Sequence, residues 1–156
     1  MDDVITSIVT LLTSALGSTY KKYYYGENKA PEQALFPFVE VIPISTSIEN
    51  IGTGGLMKSV HSVQINIKET IKANLTANTN KATVEHLQDI VKKMEERETN
   101  GTLKSATVLG VLHDNLQLSA KVNINGDWEI SYTETEYGDS WIVIGSVKFN
   151  ASRITP

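Results

Sequence analysis

Apolar residues at Val4, Ile5, Ile8, Leu11, Leu12, Ala15 and Leu16 recur three and four positions apart, the repeat of one face of an α-helix. Asp2 and Asp3 precede them, where a helix dipole favours negative charge, and Gly17 supplies the stop. Thr6, Ser7, Thr10, Thr13 and Ser14 fall on the other side, so the stripe predicts a first helix packed on a core. A second helix is predicted from Asn78 and Thr79, which can cap it, to about Thr99, with Gly101 just past its end. Its apolar positions are Val84, Leu87, Val91 and Met94; Asp89 with Lys93 and Lys92 with Glu96 are spaced to pair along its solvated side.

Elsewhere the pattern is that of strands. Phe36-Pro37-Phe38-Val39-Glu40-Val41-Ile42-Pro43 follows a polar connector through Tyr25-Gly26-Glu27 and reads as the first strand. Its prolines have no N–H for a ladder, which predicts an edge position or confinement to the strand ends. Val63, Ile65 and Ile67 alternate with polar neighbours, the period of a half-buried strand. Between these two lies a polar, Gly-rich stretch at about 45–59, predicted to be a flexible loop.

The last third reads as strands at 107–112, 116–124, 128–135 and 141–149. Asn125-Gly126 is a strong hairpin signal and Gly138-Asp139 marks the next turn, so a strand meander is predicted over 106–150. The order of elements predicts one α+β domain over 1–156: a mostly antiparallel sheet, two helices packed on one face, and an extended β-hairpin over 116–135.

Composition narrows the function. A chain of 156 residues, 40 % of them hydrophobic, buries roughly 70 % of its unfolded surface and needs no covalent staple. With no cysteine, disulfides, thiolate metal sites and thiol catalysis are excluded. A formal charge of −4 argues against gripping nucleic-acid phosphates, though not against letting DNA pass. The acidic start and the short apolar stretch at 4–16 predict neither a secretion signal nor a membrane span, and hence a cytoplasmic location.

No catalytic constellation emerges. His61, His86 and His113 lack metal-pair spacing. The 52–59 stretch has Met57 where a phosphate loop needs glycine, and Lys121 and Tyr132 occupy the ligand positions a calcium loop would use. Glu129, Glu134, Glu136 and Asp139 gather near the last hairpin, but nothing fixes a catalytic pair among them. No metal, cofactor or catalytic residue is therefore expected. What remains is apolar: Ile48, Ile51, Leu56 and Met57 in the long loop, with Tyr132, Tyr137 and Trp141 around the last hairpin. These seven form a candidate protein interface, unless the loop folds back over its own sheet.

The amphipathic first helix, the Tyr25-Gly26-Glu27 connector, the Phe36-Pro37-Phe38-Val39-Glu40-Val41 strand, the long loop, the 63–67 strand, the second helix and the closing strands together resemble the tail terminator and tail-completion proteins of long-tailed bacteriophages. The resemblance covers most of the chain. It implies a structural, non-enzymatic virion protein that forms a ring, hexameric in this family. The ring would cap the tail tube, end its polymerisation and meet the head-side connector, with DNA passing its lumen unbound. It also implies a place in the tail or neck of the virion, after assembly in the host cytoplasm. Another neck or tail-tube component, a small monomeric adaptor using the 45–59 loop, and an enzyme with a deep polar pocket are the competing readings.

Overall fold

The computed structural model describes residues 1–71, 79–119, 122–137 and 140–155, with the backbone alone described at 33, 71, 79–86, 119, 137 and 140. The first helix, α1, spans Asp2–Leu16 and buries Val4, Ile5, Ile8, Leu12 and Leu16, the stripe expected of it. Its outward Ser7, Thr10 and Thr13 hydroxyls donate to the carbonyls four residues back. Gly17 ends it at φ 46°, in the left-handed region where a side chain is strained.

Strand β1 (Lys22–Tyr25) occupies what the sequence presents as connector, and it runs parallel to β2 (Phe38–Asn50). Four residues give too little alternation to read as a strand; pairing with β2 orders them. Strand β2 continues well past Pro43 and pairs antiparallel with β3 (Met57–Ile71), with a register shift between Pro43 and Ser45. Proline is accommodated here for a specific reason. The Val41 carbonyl accepts from Gly26 N–H at 2.8 Å, on the side away from β3, so two residues on the missing N–H of Pro43 also faces that edge. Beyond Val41 the edge is uncovered by β1, as the edge expectation requires.

The predicted 45–59 loop is thus mostly strand. Ser45 to Asn50 pair with Met57 to Ser62, leaving a turn of only 51–56 closed by Ile51 N–H on the Leu56 carbonyl at 2.9 Å. Low hydrophobicity hid the strands, but a backbone ladder closes regardless of what the side chains carry.

Helix α2 spans Thr79–Glu95; its cap Asn78 lies outside the described residues, as do the side chains of Thr79 and Val84. It ends four residues before Thr99, where an Arg97–Leu103 bridge and Gly101 (φ 88°) reverse the chain. Among its described side chains Ile90 and Met94 are buried. The expected pairs along its side are replaced by bonds outward, Lys93 to Glu69 on β3 and Lys104 to Glu96 at 2.9 Å.

The strand meander over 106–150 is corrected in two places. Residues 107–112 are not a strand: Thr107 caps a short helix, α3 (Val108–Asp114), its hydroxyl accepting from Gly110 N–H at 3.0 Å. All five residues from Val108 to Leu112 are buried, so the run shows no period to separate helix from strand. Nor does Asn125-Gly126 join a hairpin. Strands β4 (Gln117–Ser119) and β5 (Val122–Ile124) pair with each other, β6 is Glu129–Tyr137, and β5 and β6 both bond the long last strand β7 (Ser140–Thr155), one after the other along its edge. The extended hairpin of the fold is therefore β2–β3. The β6–β7 hairpin forms as expected, although Gly138 and Asp139 lie outside the described residues.

The result is an α+β fold: a mixed seven-stranded sheet in the order β1-β2-β3-β7-β5-β4, with β6 also on β7, and only β1–β2 parallel among the described pairs. Among the described residues the two expected helices and the short α3 share the core on one face. Val39 and Val41, Val63 to Ile67, and Val143 to Ala151 contribute alternate side chains to it. The segment 26–37 crosses the other face, where buried Phe36 packs 4.7 Å from Phe38 and beside Ile142. No helix among the described residues is long and apolar enough to cross a membrane.

Candidate functional site

Strand β3 extends fourteen steps from Met57, opposite Thr155, to Ile71, opposite Trp141, which separates the two ends by about 45 Å. The interface candidates divide between these ends.

At one end β2 and β3 form a projecting arm with β7. Ile48 is 66 % exposed, and Ile51, Leu56 and Met57 surround the turn, each also exposed. Ile48 lies opposite Ser59, which lies opposite Arg153, so all three are on the helix side of the sheet; Met57 shares that side opposite Asn50. Arg153 pairs with Asp3 at the start of α1, which braces the base of the arm. Partial burial works against the Asp3 carboxylate, but the guanidinium and the Val4 N–H outweigh it and hold its pKa below the ordinary value. His61 is buried at the same base with Nδ1 3.0 Å from the Thr46 hydroxyl, and burial holds its pKa below the usual 6.5.

At the opposite end Trp141 is 44 % exposed, beside Glu136 on β6. Tyr137 closes β6 opposite Ser140, but its side chain lies outside the described residues. Tyr132 is placed elsewhere. Its ring packs against the core at Gly145, where an added Cβ would stand 3.4 Å from the ring and from Met94, and its hydroxyl donates to Glu95 at 2.6 Å. Burial, then that bond, push its pKa far up. Tyr132 thus ties β6 to α2 and is not part of an exposed patch.

Sequence reasoning missed a buried ion pair on the face opposite the helices. Glu40 is fully buried; Lys68 Nζ stands 2.9 Å from its Oε2, and Asn28 N–H donates to its Oε1 at 2.7 Å. Asn66 reaches Oε2 at 3.4 Å and accepts from the Ser146 and Gln64 side chains at 2.7 Å each. The signal was a lone acid inside an apolar strand. A pocket of about 340 Å³ lies beside this cluster, between Asn28, Pro31, Lys68, Glu136, Ile142 and Ile144. Because the carboxylate's oxygens are taken up by Lys68, Asn66 and the 26–37 segment, the cluster clamps that segment to the sheet.

His113 is exposed with Nδ1 3.6 Å from Asp114, and the side chain of His86 lies outside the described residues. Glu134 and Glu136 share one face of β6 while Glu129 is on the other, opposite Lys148. Among the described residues no three His, Cys, Asp or Glu side chains group to hold a metal ion. No family model matches this sequence, and no curated protein is significantly similar to it.

Proposed function

We propose that this chain is a tail terminator of a long-tailed bacteriophage, a non-enzymatic assembly protein that forms a ring on the tail tube, stops its growth and presents its far side to the head-side connector. One observation carries the reading: a single sheet offers exposed apolar residues at both ends, Ile48, Ile51, Leu56 and Met57 at the arm and Trp141 about 45 Å away. A protein that joins two different partners along one axis needs two such ends. Exposed apolar side chains on ordered strands cost solubility without adding to the core, which favours docking as their use.

The middle of the sheet supports a passive passage for DNA. Its face opposite the helices carries Ser62, Gln64, Ser131, Ser146 and Ser152, and its outlying charges stand opposite one another, Glu49 to Lys58 and Glu129 to Lys148. Such a surface neither grips phosphates nor repels them strongly.

The test is tube growth. Tail-tube protein encoded with this chain should elongate without limit alone, and addition of the chain should give tubes of bounded length with a ring at one end in negative-stain images. Ile48→Asp with Met57→Asp should abolish the bounding. Unbounded growth with the wild-type chain would overturn the reading, and incorporation of the chain along the tube would make it a tube component.

A further inference from the structure

We propose that copies of this chain join side by side through the two flanks of the sheet, β6 of one copy beside β1 of the next and β4 beside the uncovered half of β2. The inference rests on the ring reading above and names the surfaces that would build the ring.

The two flanks of the sheet match in shape. Near the Trp141 end the sheet is five strands wide, as the register row Lys22–Phe38–Lys68–Ile144–Thr133 shows. Near the arm it is again five wide, through the row Ile48–Ser59–Arg153–Val122–Ser119. The two rows are displaced by one strand. On one flank β1 stops at Tyr25, opposite Val41, and β2 runs on alone, which leaves a notch one strand deep. On the other flank β4 stands one strand further out than β6, which makes a step of the same depth. A neighbour moved sideways by five strands seats the step in the notch. Three strands then separate β7 of one copy from β3 of the next in both halves: β6, β1 and β2 in one, β5, β4 and β2 in the other.

Strand direction and chemistry agree with the shape. Strand β1 runs with β2, β3 against β2, β7 against β3 and β6 against β7, so β6 meets the β1 of a neighbour in the same orientation antiparallel. No backbone bond to the outer edge of β6 or β4 is present among the described residues, and such open edges are templates for pairing. Lys21 and Lys22 are exposed on the β1 flank; Glu129, Glu134 and Glu136 are exposed on β6. None of the five is ion-paired among the described residues. If the rows run on, Lys21 lies opposite Glu134. In the other half, exposed Leu116 beside β4 approaches Ile44 at the notch, giving two apolar residues with little else to cover them a partner. Because each flank meets the other kind, the contact is heterologous, and it closes into a ring when the rotation per copy divides a full turn.

The chain has no cysteine, which makes the test direct. Lys22→Cys is combined in turn with Ser131→Cys, Thr133→Cys and Thr135→Cys, which span neighbouring registers on one face. Within one chain Lys22 and Thr133 are four strand spacings apart, about 19 Å, against a disulfide reach of about 7 Å. Oxidation of a full-length double variant should yield a ladder of covalent multimers up to the mass of the ring, collapsing to monomer on reduction, while each single variant stops at dimer. Rings by light scattering with no ladder in any double variant would overturn the flank pairing and leave the ring reading standing. Absence of both rings and ladders at every concentration would overturn both.

Discussion

The two halves of β2 belong to one strand and one ladder, yet they are opposites. From Phe38 to Val41 every side chain is buried, with α1 packed on one face and the 26–37 segment on the other. From Ile44 to Asn50 every side chain is exposed, although the pairing with β3 continues to the turn. Pairing with β3 thus runs through both halves, and what differs is burial, together with β1, which covers only the first half. The first half is held by the core and the second by its ladder and by Arg153 on Asp3, so the apolar side chains of the second half add little to the core.

Substitutions in the first half should be severe. Glu40→Ala strands the Lys68 ammonium in a nearly closed site and should cost about 3–5 kcal/mol in denaturant melts. Glu40→Leu with Lys68→Met should recover most of that loss, and failure to do so would mean the pair has a role beyond its own charge balance. Ile65→Ala, which empties a fully buried position one strand over, should cost about 2–5 kcal/mol.

Smaller effects follow where the core meets the arm. His61 is disfavoured as a cation in the fold, so the unfolded chain binds its proton more readily. Stability should therefore be full above pH 6.5, the ordinary value, and fall as pH drops below it. His61→Gln should flatten that part of the pH profile of the melting temperature. In the arm itself, Ile48→Asp should change monomer stability by less than about 0.5 kcal/mol, yet abolish docking on the tube. A large loss of stability there would mean that the arm belongs to the core after all.

The same contrast explains what could be read from the sequence. Helix α1 and the alternating half of β3 were legible because one face of each is buried, and burial writes the period into the residues. The arm was not, since no core selects its side chains, and Ser45 to Asn50 look like loop although they pair throughout. Helix α3 was lost for the reverse reason: Val108 to Leu112 are buried on every side, and a uniform apolar run carries no period. The Asn125-Gly126 turn misled because β5 and β6 each gain more from the edge of β7 than from each other. Among the interface candidates, Ile48, Ile51, Leu56, Met57 and Trp141 are exposed. Tyr132 is half-buried, and only the fold brings Glu95 to its hydroxyl. The Glu40–Lys68 pair joins residues on different strands, and its partners depend on a register that no local pattern reveals.

If the exposed ends and flanks make a ring, solution mass by light scattering across concentration, with negative-stain images of any large species, should show one assembly of fixed copy number with a central hole, in exchange with monomer. A strict monomer at every concentration would contradict the ring.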